Sequence, residues 1–233
     1  MKILFILFFL AVPNPADPIV EWNHFEKSVR NQTIHKEEAQ KQFPSLYKFL
    51  KELCNRHPFQ KRSSWKFPVQ GYDIKDIGEG GFKPGIRYGS SPIKGYNFYD
   101  GNRHGGHPAY DIFIRDQNQD ALDDRTHKSV MVVAPVDLLI LSIESDWAQN
   151  SDLRGGHYIW ALDPLQDRIF YFAHMNKILV NAGSFCPAGS AIGTVGRTGK
   201  NALPRRSPTH LHFMALEVEG TNLLPFDYRA FLK

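Results

Sequence analysis

From Tyr110 onward the chain is cut into short apolar runs, and that punctuation limits the folds open to it. The runs occupy residues 110–115, 130–133, 138–143, 157–162, 168–173, 191–195 and 210–218. Gly and Pro recur between them, and nothing between them repeats apolar residues at the helical period, so they read as strands. Many short strands without intervening helices predict an antiparallel sheet rather than a parallel α/β one. A chain of 233 residues has room for one substantial core. Ahead of the strands, residues 17–64 read as helical. The clearest piece is 45–55, where Leu46, Phe49, Leu50, Leu53 and Cys54 share one helix face and Pro58 ends the run. Residues 71–106, rich in Gly, Tyr and Asn, read as long loops and edge strands, and 115–128, with four aspartates, as an exposed loop. The expected fold is mainly β (α+β): a compact antiparallel sheet domain over 65–233, preceded by a short helical segment over 17–64.

The start of the chain points to export. Met1-Lys2 precedes ten apolar residues, 3–12, about half of the ~20 a bilayer-spanning helix needs. A basic start, an apolar centre and a small residue before polar sequence predict a secretory signal over 1–16, cleaved after Ala16. The mature protein then has no transmembrane helix and works in the periplasm, in the cell envelope or outside the cell. Cys54 and Cys186 form no Cys-x-x-Cys pair, which excludes a cysteine-based zinc site; they either pair with each other or stay as buried thiols. The composition, 42% hydrophobic and 22% charged, is that of a globular protein. A net charge of +4, with no Lys/Arg run and no nucleic-acid motif, excludes nucleic acid as the partner.

Chemistry concentrates in the histidines. In an extended segment His210 and His212 of His-Leu-His project from one face, about 6.5–7 Å apart at the backbone. Burying two imidazoles on one face is costly unless they have partners. The same alternation places Asp111 with Phe113 and Arg115. His107 lies just before that strand, and Pro108 disfavours a helical conformation there. His107 and Asp111 therefore converge only through a bend, which Gly105-Gly106 permits. Zinc accepts imidazole nitrogen and carboxylate oxygen, and a catalytic site keeps one of four positions for water. With the lone His174 of Tyr-Phe-Ala-His-Met, these residues read as a three-ligand centre with two further imidazoles, suited to metal-assisted amide hydrolysis. His104, His127 and His157 belong to no motif and read as surface or hydrogen-bonded residues.

His107-Pro-Ala-Tyr-Asp111-Ile, Phe172-Ala-His174-Met, Ala191-Ile-Gly-Thr-Val-Gly-Arg-Thr-Gly199 and Thr209-His210-Leu-His212-Phe resemble, in order and spacing, the lysostaphin-type (LytM-like) zinc endopeptidases. The likeness covers roughly residues 65–225. It implies a groove over the metal, one Zn2+ per chain held by His107, Asp111 and His212, and His174 and His210 flanking the open metal position. No His-Glu-x-x-His helix is present, so these two imidazoles inherit the acid–base work. The implied substrate is peptidoglycan, at a stem peptide or cross-bridge. The expected function is an exported zinc endopeptidase of the cell wall. The main alternative is a non-catalytic peptidoglycan-binding regulator of other wall hydrolases, as relatives that have lost metal ligands are; a zinc peptidase of Gly-rich proteins is a third reading. Ala109, Phe172 and Met214 depart from the family's usual glycine, tyrosine and glutamate, and the loop 116–128 is longer than usual. Arg197, Arg205 and Arg206 lie in the loop 196–209 that runs into the His210 strand, which predicts a place at the groove's rim where they bind substrate carboxylates. The helical segment, with an apolar face to cover, is expected to pack on the β domain and restrict the groove.

Overall fold

The computed structural model describes residues 17–60, 64–85, 87–88, 91–92 and 95–232; the expected signal over 1–16 lies outside them. Two helices come first, α1 (Pro18–Arg30) and α2 (Lys36–Cys54). A minimal hairpin follows, β1 (Arg87–Tyr88) and β2 (Ser91–Pro92). Then come β3 (Ala109–Phe113), β4 (Met131–Val133), β5 (Leu138–Glu144), β6 (His157–Asp163), β7 (Arg168–Met175), β8 (Lys177–Ile178), β9 (Phe185–Cys186), β10 (Ala191–Thr194), β11 (His210–Glu219) and β12 (Asn222–Pro225). The main sheet has seven antiparallel strands in the order β12-β11-β7-β6-β5-β9, with β3 also paired to β11. A three-stranded sheet, β4-β10-β8, stands beside it.

Alternation along each strand gives the main sheet two different faces. Leu138, Ile140, Ile159, Ala161, Phe170, Phe172, Leu211 and Phe213 point into one core, with Val132, Ile192, Trp65 and Tyr228. Leu139, Leu141, Tyr158, Trp160, Leu162, Ile169 and Met214 point the other way and are covered by α1 and α2. Helix α1 is capped by the Asp17 carboxylate on the Ile19 N–H and buries Ile19, Trp22, Phe25 and Val29. Helix α2 buries Ala39, Phe43, Leu46, Leu50 and Cys54. Burial of one such aliphatic or aromatic side chain stabilises the fold by roughly 1.5–3 kcal/mol. Polar contacts fix the seating: Trp22 Nε1 donates to Ser142 Oγ at 3.2 Å and Asn23 Nδ2 to the Leu141 carbonyl at 3.0 Å. The helical segment thus packs on the sheet, as its apolar face demands.

Two readings are corrected. Helix α2 runs from Lys36 through Pro44 within the expected helical segment, but its buried stripe takes in Phe43 and leaves Phe49, expected on the buried face, 48% exposed. The loop 115–128 is not simply exposed. Asp116 and Asp123 are buried and accept backbone N–H groups, Asp116 from Asp120 and Ala121, Asp123 from Arg125 and Thr126, so they act as internal turn-builders. Of the two alternatives left open for Cys54 and Cys186, the structure shows the second: both are buried free thiols, and burial pushes the Cys54 thiol up to about 12. No helix among the described residues is long and apolar enough to cross a membrane.

Candidate metal centre

Strands β3 and β11 pair with Asp111 directly opposite His212, so carboxylate and imidazole leave the sheet side by side. Asp111 Oδ1 lies 2.9 Å from His212 Nδ1 and 3.8 Å from His210 Nε2. His107 reaches the same carboxylate from the preceding turn, its Nε2 3.1 Å from Asp111 Oδ2. The bend that brings it there sits at Gly106, whose φ is 68° and where a Cβ would lie 2.4 Å from the Pro84 carbonyl oxygen. Ala109, where the family often has glycine, stays within ordinary strand geometry.

His174 arrives by a different route. Ala173 pairs with His212 and so faces the centre, which by alternation would turn His174 into the opposite core. Instead the register of β6 against β7 shifts between His157 and Ile159, and His174 takes a φ of 64°. This bulge swings the imidazole back to the site, with its ring centroid 4.9 Å from that of His210 and 5.6 Å from that of His212. The strained conformation is held by the His174 N–H donating to the Gly155 carbonyl at 2.8 Å.

Each ring's second nitrogen is spoken for. Nδ1 of His107, His174 and His210 lies 3.0, 2.8 and 2.7 Å from the carbonyl oxygens of Gly81, Thr198 and Pro208. A carbonyl only accepts, so Nδ1 carries the proton in all three and a neutral ring presents a bare Nε2. Burial would raise the Asp111 pKa, but hydrogen bonds from His107, donated at Nε2 when that ring is doubly protonated, and from His212 hold it well below the carboxylate range. Burial drives the His174 pKa well below its ordinary value, so that ring is neutral. His107, Asp111 and His212 are residues that could hold a metal ion, their nearest donor atoms all lying within 4.8 Å of one another. Ligands at ~2.0–2.1 Å in a tetrahedral shell stand about 3.3 Å apart, and the Asp111 pairs with His107 and His212, at 3.1 and 2.9 Å, lie near that spacing. The donor set fits zinc.

The model of peptidase family M23 matches residues 119–225. Over these residues, from the loop before β4 to the end of β12, the chain is similar to peptidase family M23. The match begins after His107 and Asp111, which join the matched region through the pairing of β3 with β11. Among solved structures, the catalytic domain of the antimicrobial peptidase lysostaphin from Staphylococcus simulans is 24% identical, with a TM-score of 0.39 over 63% of this chain and 89% of that one. LytU is 21% identical, with a TM-score of 0.42 over 75% of this chain and 88% of that one. A zinc-containing peptidase from Vibrio cholerae is 15% identical, with a TM-score of 0.42 over 70% of this chain and 39% of that one. No curated protein sequence matches the chain.

Beside the metal centre, the β-sheet domain and helix α1 enclose a cavity of about 270 Å³. All five centre residues line it, and so do Glu26, Val29 and Arg30 of α1. The centre and the helices share one sheet face. Along β11 that face changes from His210 and His212 to Met214 and Leu216 within a few residues, and the cavity opens at the change. At its inner wall Tyr158 donates to Glu26 Oε1 at 2.8 Å and accepts from Arg30 Nη1 at 2.7 Å, while Arg30 pairs with Glu144 at 2.6 Å. None of Arg197, Arg205 and Arg206 lines this cavity. Arg197 donates to the carbonyls of Ser207, Leu203 and Pro204 and so braces the loop, while Arg205 and Arg206 are exposed. Besides Arg30, which is paired with Glu144, the cavity is lined by Arg154, which no sequence pattern singled out. His104, read as a surface or hydrogen-bonded residue, lines it too with its Nδ1 3.1 Å from the Gly105 carbonyl oxygen, and burial together with the Arg154 charge holds its pKa down to about 4.

Proposed function

We propose that the protein is an exported zinc metalloendopeptidase that hydrolyses peptide bonds of peptidoglycan, with His107, Asp111 and His212 as metal ligands and His174 and His210 as catalytic residues. The observation that carries this reading is the convergence of two imidazoles and a carboxylate from β3, β11 and the Gly106 turn, with two more imidazoles aimed at the same point. Zinc in such a set supplies Lewis-acid polarisation of a carbonyl and makes water acidic near neutral pH. The chain's own part is to aim and move protons. His174, neutral and with a bare Nε2, is the proton acceptor. His210, whose Nε2 stands 3.8 Å from Asp111 Oδ1, donates to the developing oxyanion as imidazolium, with both ring nitrogens protonated.

Similarity to peptidase family M23 and the zinc-containing peptidase among the similar structures support this reading. The test is mass spectrometry of purified peptidoglycan after incubation with zinc-loaded protein, beside a glycine-rich peptide. Peptide-bond cleavage in peptidoglycan is expected. Tight binding without cleavage would make the protein a regulator of other wall hydrolases, and cleavage of the glycine-rich peptide alone would move its substrate outside the wall.

A further inference from the structure

The cavity at the metal centre continues into a wider groove on the surface, and the two share Asn102, Leu153, Arg154 and Asn201 together with Arg30. Of the other basic groups along this path, Arg30 pairs with Glu144 at 2.6 Å and Lys200 with Asp152 at 2.5 Å, while Arg103 lines only the wider groove and is exposed. Arg154 is half-buried at the junction and pairs with no carboxylate among the described residues. Its Nη1 donates to the Asn102 and His104 carbonyls at 3.2 and 2.9 Å, which fixes the guanidinium plane and leaves the other edge of the fork without an acceptor among the described residues. The Tyr171 hydroxyl, which also lines the cavity, donates to no acceptor among the described residues. It lies against the neighbouring Gly155, where a Cβ would come within 2.0 Å of it. The same short segment is tied to the chemistry, since the Gly155 carbonyl accepts the His174 N–H.

We propose that Arg154, with the Tyr171 hydroxyl beside it, anchors a substrate carboxylate next to the metal centre and so selects carboxylate-bearing stem peptides over uncharged glycine bridges. A planar, pre-positioned guanidinium edge matches a carboxylate in paired hydrogen bonds, and a partly desolvated site strengthens them. Glu26, the opposing charge at the inner wall, is restrained by Tyr158 and Arg30, and burial pushes its carboxyl towards the neutral form. The inference rests on the peptidase reading for its substrate class, but the contact can be measured without catalysis.

The test uses three synthetic peptides: a stem peptide with a free α-carboxylate beside the scissile bond, its carboxamide, and pentaglycine. Binding is measured by calorimetry and kcat/KM by chromatography, on zinc-loaded full-length protein and on Arg154→Met and Arg154→Lys. The carboxylate peptide should exceed its carboxamide by about 10-fold or more in both readouts, the size of one charge-assisted contact. Arg154→Met should erase that ratio with zinc content unchanged, and Arg154→Lys should restore part of it. A purely structural role, through the Asn102 and His104 carbonyls, would lower all three peptides equally and would overturn the proposal. So would equal handling of carboxylate and carboxamide by the wild type, which settles the matter even if a variant fails to fold. Arg154-dependent binding without cleavage would sink the peptidase reading and leave the anchor standing; cleavage without discrimination would do the reverse.

Discussion

Asp111 is the residue on which the centre balances, because it lies within 4 Å of three imidazoles. Asp111→Asn keeps the shape and removes the charge, so stoichiometric zinc and activity should vanish together; His212→Ala should do the same, as three protein ligands leave no redundancy. His174→Ala and His210→Ala should retain zinc, by elemental analysis, while activity falls by at least ~10²-fold, the lower end for acid–base catalysis. Full zinc retention in His212→Ala would overturn the ligand assignment. At His104 the consequence is for stability. Its pKa falls from 6.5 to about 4 on folding, so it takes up a proton when the chain unfolds. Stability therefore drops as the pH is lowered from 6.5 towards 4, by at most about 1.4 kcal/mol per pH unit from this group. Urea unfolding of metal-free protein at pH 6.5 and 5.0 should show a smaller difference in His104→Gln than in wild type.

At the scale of elements, the α1–sheet contact is the feature most exposed to a single change. Trp22 is fully buried, packs on Phe25 and Phe98, and gives its indole N–H to Ser142. Trp22→Ala should cost about 3–5 kcal/mol in denaturant unfolding, through the cavity it leaves and the hydroxyl it strips of a partner. An unchanged unfolding midpoint would mean that α1 is only loosely seated. What the sequence reveals follows the same division. Strand alternation places Asp111, His210 and His212 on one face, because a period of two needs no tertiary knowledge. His174 defies that rule through a bulge and a positive φ, which no residue type at 173–174 announces. The Gly105-Gly106 pair signals the turn that aims His107. Contacts such as Glu26 with Tyr158, or Arg154 at the cavity mouth, arise from elements far apart in the chain and have no periodic signature.

At the scale of the whole molecule, α1 both covers the sheet and forms one wall of the cavity at the candidate metal centre. Removing residues 1–64 would uncover Leu139, Leu141, Trp160 and Leu162 and take Glu26, Val29 and Arg30 from the cavity. The shortened protein should bind a hydrophobic dye strongly and lose solubility; a soluble, fully active product would show that the helices are dispensable. The pairing of Asp111 with His212 has a consequence of another kind. These residues are 101 positions apart, so an ion shared between them acts as a removable cross-link around nearly half the chain. Since only the folded chain brings the donors together, zinc at a hundred times its dissociation constant would deepen the native basin by about 2.7 kcal/mol. The melting temperature then becomes a gauge of free zinc, and a protein left in metal-poor surroundings is held shut by one fastening fewer.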